Sequence, residues 1–142
     1  MILDTTYLLP LARISVDTDL LKAIADGKVG WKLEEVTVSM ISIFELQAKA
    51  AKLMVPAEFV VDAVEAVFRA FKVEPFHRPE IIKVAYDVKN LISDYVDCVI
   101  VATATVLKEA LATEDSQILS NRELLEGQYG ISIASYKELV KK

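Results

Sequence analysis

The chain has 142 residues, 54% hydrophobic and 26% charged, with a formal net charge of −5. That length suits one compact domain spanning residues 1–142 with a sizeable core, and the composition excludes a disordered chain. The charge excludes binding to nucleic acid through bulk positive potential, although clustered carboxylates that take up divalent cations would still count as negative.

The chain opens with Met1–Asp4, a short apolar run ending in an acid, which reads as a strand. Thr5–Arg13 can open a helix. Asp17–Asp26 reads as a second helix, with Asp17 or Thr18 as its N-cap and Gly27 as its stop. Val36–Ser39 is β-branched and short, a second strand. Ser42–Leu53 has helical spacing, and Ser42 with Glu45 fits a capping box. Pro56 introduces a helix over Ala57–Ala70, and Phe71–Phe76 is a third strand. Pro79 opens a helix to Leu91, and Asp94 caps a further helix over Tyr95–Glu109. Ala110–Thr113 and Ile131–Ala134 complete the strands, with a short helix from Ser135. Strands alternate with helices and are apolar runs rather than strict alternations. This predicts an open three-layer α/β domain whose five-stranded, mostly parallel sheet is covered on both faces.

No apolar run approaches the about 20 residues of a membrane span; the longest is Cys98–Leu107. The first residues lack the basic start of a signal peptide. The single cysteine, Cys98, can make no internal disulfide, which favours a cytoplasmic location. The high apolar fraction points to a buried partner surface such as a homodimer, and Val60, Val61, Val64, Val67 and Phe68 recur at helical spacing where such a surface could lie.

Four acids stand out once placed on this scaffold. Asp4 ends the first strand, Glu45 follows the second, and Asp115 lies just past the fourth. In a parallel sheet these chain ends share the carboxyl edge. Asp97 starts the helix that descends into the fourth strand, so it begins at that edge too. This edge is where open α/β sheets bind ligands. Taken singly, each acid has an ordinary role: Asp4 as a strand end, Glu45 as half of a capping box, Asp97 as a first-turn acid favoured by the helix dipole, Asp115 as a turn residue. Their joint placement carries the argument. Two like charges about 4 Å apart repel by roughly 4 kcal/mol at an effective dielectric near 20, so either protons or cations must sit among them. Oxygen-only ligands favour Mg²⁺ or Mn²⁺, which would orient a phosphodiester, activate water and stabilise a leaving 3′-oxygen.

These residues also resemble a known family. The opening MILDTTYLL resembles the start of a PIN domain, and that resemblance implies Asp4 as a metal ligand supported by the Thr6 hydroxyl. SMISIFELQAKA resembles its second motif and places Glu45; YVDCVIVATATVL resembles its acidic helix and places Asp97; LATEDSQIL resembles its Thr-x-Asp motif and places Asp115 with Thr113 nearby. The resemblance covers the whole chain. It implies strand order 3-2-1-4-5, cleavage of RNA dependent on Mg²⁺ or Mn²⁺, and, through similarity to VapC-type toxins, a homodimer inhibited by a cognate antitoxin. The chain departs from the pattern at Thr6, where Asn or Ser is usual, and at Glu114, where a basic residue is common. Arg13, Lys49, Lys52 and Arg122 are the basic residues available for phosphate contact, and each also suits a solvated surface. A catalytically silent PIN-like module binding RNA or protein is the competing reading.

Overall fold

A computed structural model describes residues 1–140. Its centre is a five-stranded, all-parallel sheet in the order β3-β2-β1-β4-β5, formed by β1 (Ile2–Leu3), β2 (Thr37–Ser39), β3 (Lys72–Glu74), β4 (Leu111–Ala112) and β5 (Ile133–Ala134). The expected order and parallel pairing are both present.

Because strand side chains alternate, neighbouring residues feed opposite faces. Leu3, Val38 and Ala112 enter one core with Tyr7, Leu8, Leu20 and Leu46. Ile2, Leu111 and Ile133 enter the other with Ile81, Val88, Ile100 and Ile118. The first core is covered by α1 (Leu20–Ala25), α2 (Met40–Lys52) and α3 (Ala57–Ala70), the second by α4 (Pro79–Val88) and α5 (Tyr95–Leu107), together with α6 (Ser116–Ser120) and α7 (Arg122–Tyr129). A short α8 (Tyr136–Leu139) follows β5. Two apolar faces explain why the strands read as continuous hydrophobic runs.

Several boundaries differ from expectation for local reasons. Thr5–Ala12 is a 3-10 segment, with Pro10 inside it and Arg13 closing it in the left-handed region at φ 64°. The second helix starts later, because Asp19 rather than Asp17 or Thr18 accepts the Lys22 amide. The helix expected from Ser42 begins at Met40, because the Ser39 hydroxyl accepts the Ile41 amide. Ser42 is therefore inside the helix, and the expected Ser42–Glu45 capping box does not form. The helix from Pro79 stops at Val88. Helices α6 and α7 were not expected: α6 has five residues, and Leu125 is the one buried residue of α7. The Ala57–Ala70 helix and the Asp94 cap stand where the pattern put them.

Candidate metal centre at the carboxyl edge

Asp4 follows β1 and is 5% exposed. Its Oδ1 accepts the Thr5 amide at 2.7 Å, and its Oδ2 accepts the Thr113 hydroxyl at 2.6 Å. Thr113, fully buried just past β4, accepts the Asp115 amide on the same hydroxyl oxygen at 3.0 Å. Asp115 in turn caps α6 by accepting the Ile118 amide at 2.9 Å. One threonine thus joins the acids that follow two neighbouring strands.

Asp97 lies in the first turn of α5, 7% exposed, behind the Asp94 cap that accepts the Val96 amide at 2.9 Å. Burial pushes its carboxyl up to about 8, helped by the charges of Asp4, Asp115 and Asp94 and by a hydrogen bond to Asp115. Burial also pushes Asp4 up to about 6, against the hydrogen bonds from Thr113 and Thr5 that favour its charged form, while the Glu45 and Asp115 charges raise it further. Asp4, Asp97 and Asp115 therefore form one electrostatic group. Glu45, on α2, touches that group through its charge on Asp4, and its Oε2 lies 4.0 Å from Lys49 Nζ.

The residues expected to support the acids divide. Thr113 contacts two of them. Among the described residues Thr6 hydrogen-bonds to none; the Thr5 amide contacts Asp4 instead. That contact had no side-chain signal, because its donor is backbone. Glu114 points away from Asp115 and accepts from the Tyr7 hydroxyl and the Tyr136 amide. Of the four basic residues, Arg122 pairs with Glu138 at 2.6 Å, Arg13 lies over the Phe59 ring at 3.8 Å, and Lys49 alone is paired with a site acid.

The donor set suits a hard divalent cation, since it offers oxygen alone. Among the described residues, no three His, Cys, Asp or Glu side chains stand in an arrangement that could hold a metal ion as they are. Both Asp4 oxygens, Asp115 Oδ1 and Asp94 Oδ1 are engaged in hydrogen bonds, and Glu45 leans towards Lys49. The carboxyls of Asp4 and Asp97, raised by burial and mutual charge, are the groups that a cation would relieve.

A groove of about 610 Å³ runs between α2 and α3, lined by Phe44, Ala48, Ala51, Val60, Val61 and Val64 among others. Phe44 is 63% and Val61 53% exposed. No helix of the described residues is long and apolar enough to cross a membrane.

The sequence profile of the PIN domain matches residues 1–140. No curated protein sequence matches. Among solved structures, the fold is similar to FitAcB from Neisseria gonorrhoeae, with a TM-score of 0.66 and 19% identity over 97% of this chain and 99% of that one. It is also similar to FitAB bound to an IR36 DNA fragment, with a TM-score of 0.65 and 16% identity over 95% and 94%. A toxin–antitoxin complex from Klebsiella pneumoniae gives 0.61 and 17% over 82% and 88%. At these identities the likeness is one of fold.

Proposed function

From the membership of this chain in the PIN-domain family, we propose that it is an endoribonuclease dependent on Mg²⁺ or Mn²⁺, acting as one nuclease unit with Asp4, Glu45, Asp97 and Asp115 as its metal-site acids. The observation that carries this reading is the pair of buried carboxyls, Asp4 and Asp97, each pushed up by burial and by its acidic neighbours. An interaction scaffold has no physical reason to bury mutually repelling acids at one edge of its sheet.

In this reading Asp4, Asp97 and Asp115 hold the cation, and Glu45 completes the set from the rim. Thr113 fixes Asp4 and the start of the Asp115 turn in one register. Lys49, 4.0 Å from Glu45, is the basic residue that this reading makes available to a phosphate of the RNA strand. When bound, the cation neutralises the pocket and polarises the phosphodiester for hydrolysis. Thr6 stays near this machinery as a supporting hydroxyl only if it turns towards Asp4.

The similar fold of the Klebsiella pneumoniae toxin–antitoxin complex supports a toxin with an antitoxin protein as partner, and a cytoplasmic location belongs to the same proposal. The exposed apolar groove between α2 and α3 offers a surface for a protein partner, which in this proposal is a second copy of the chain in a homodimer. A catalytically silent PIN-like module is the second reading. It is favoured by the acids not standing in a ready-made ligand arrangement.

Cleavage of labelled single-stranded RNA separates the two. With Mn²⁺ the wild type should cut, and EDTA or Asp97→Asn should stop it. No cutting, together with no Mn²⁺ uptake in calorimetry, would establish the silent module instead.

A further inference from the structure

We infer that Gln117 and Ser93 form a clamp that sets the spacing between Asp97 and Asp115, which makes Gln117 a positioning residue of the acidic site; this rests on the metal-site reading above. Gln117 lies on α6, two residues past Asp115. Its Oε1 accepts both the Ser93 amide, at 3.2 Å, and the Ser93 hydroxyl, at 3.0 Å. Ser93 immediately precedes Asp94, the cap of α5, and Asp97 sits in the first turn beyond that cap. The two acids come from helices that no backbone ladder joins, and the clamp spans the gap between their starts.

Ser93 is held on its other side as well. Its carbonyl accepts Lys89 Nζ at 2.7 Å, and the preceding Ile92 carbonyl accepts the Cys98 thiol at 3.2 Å. The loop before α5 is therefore anchored to the end of α4 and to α5, and Gln117 links it by hydrogen bonds to α6, beside the core packing of Ile118. Both oxygen lone pairs used by the clamp belong to one side-chain carbonyl, so one substitution removes both bonds. The pair is solvent-facing, which makes its contribution to global stability small. Its consequence falls on geometry, because a cation shared by Asp97 and Asp115 is sensitive to their separation.

The test measures Mn²⁺ binding by calorimetry without RNA, alongside RNA cleavage, for wild type, Gln117→Leu, Ser93→Ala and the double variant. Gln117→Leu should weaken Mn²⁺ binding about three- to tenfold, and lower kcat with KM for RNA unchanged. Its melting temperature should move by no more than about 3 °C. Ser93→Ala, which keeps the amide donor, should lose less, and adding it to Gln117→Leu should lose nothing more. Mn²⁺ binding by Gln117→Leu equal to that of wild type would overturn the clamp alone. A wild type that binds no Mn²⁺ would overturn the metal-site reading and the clamp with it.

Discussion

The Thr113 hydroxyl donates to Oδ2 of Asp4 at 2.6 Å and is fully buried, so a single side chain from the end of β4 fixes the acid that ends β1. The same oxygen accepts the Asp115 amide. Thr113→Val keeps the shape and removes both bonds. Loss of a buried hydrogen bond to a charged partner costs about 1.5–3 kcal/mol. Urea denaturation should show a loss of that size, and RNA cleavage should fall at least tenfold. A variant as stable and as active as wild type would remove Thr113 from the site.

Stability should respond to pH with a definite sign. Asp4 and Asp97 have folded values of about 6 and about 8, both above the ordinary 3.8. The native state binds these protons more tightly than the unfolded chain, so their contribution is fully present below pH 3.8 and is lost as pH rises through 6 and 8. The Asp4 shift alone, from 3.8 to about 6, corresponds to about 3 kcal/mol. Glu138, held down to about 2 by Arg122 and the Ser135 amide, has the opposite sign, and its contribution is lost only as pH falls below 4.5. Between pH 5 and 9 the site pair is therefore isolated. The metal-free protein should become less stable across that window, and Mn²⁺ should offset the loss at the upper end. A flat profile would contradict the burial of both carboxyls.

The start of α2 gives a prediction and also shows where the sequence was legible. Ser39 and Ser42 both suit a cap by residue type, and the glutamate three residues after Ser42 favoured the later position. Tertiary structure decides for Ser39, because β2 ends there and its hydroxyl meets the Ile41 amide at 3.3 Å. Among the described residues, Ser42 is left buried with no partner for its hydroxyl. Ser39→Ala should cost about 1 kcal/mol, whereas Ser42→Ala should be neutral or stabilising in thermal unfolding. The reverse order would restore the capping box.

The same contrast holds for the edge as a whole. The placement of Asp4 and Asp97 at this edge was legible because Asp4 ends an apolar run, Asp97 interrupts one, and parallel topology carries strand ends to one side. The Thr5 amide on Asp4 was not legible, since it is backbone. Neither was Gln117, whose partner Ser93 lies 24 residues away with no periodic pattern joining them. Helices α6 and α7 left too few buried side chains to write a stripe.

The groove between α2 and α3 exposes Phe44 and Val61 on a surface that costs solvation unless covered. Light scattering at micromolar concentration should give twice the 15.8 kDa chain mass, and Val61→Lys should return it to the monomer while RNA cleavage persists. A wild type that runs as a monomer would reject the homodimer and leave the groove to a different partner.

Asp97→Asn separates stability from function most sharply. Asn resembles the protonated carboxyl, the form that burial and the Asp4, Asp115 and Asp94 charges already favour up to about pH 8. The substitution removes a charge that the metal-free fold tolerates poorly. At pH 8 or above, Asp97→Asn should therefore melt at a higher temperature than wild type, with the gap closing as pH falls towards 5. Removing the same charge takes a ligand from the proposed cation site, so Mn²⁺ binding should weaken and RNA cleavage should vanish. A variant that is destabilised at every pH would mean that Asp97 serves the fold, for instance through its place in the first turn of α5. A variant that is stabilised and still cuts RNA would keep the electrostatic account and remove Asp97 from the chemistry.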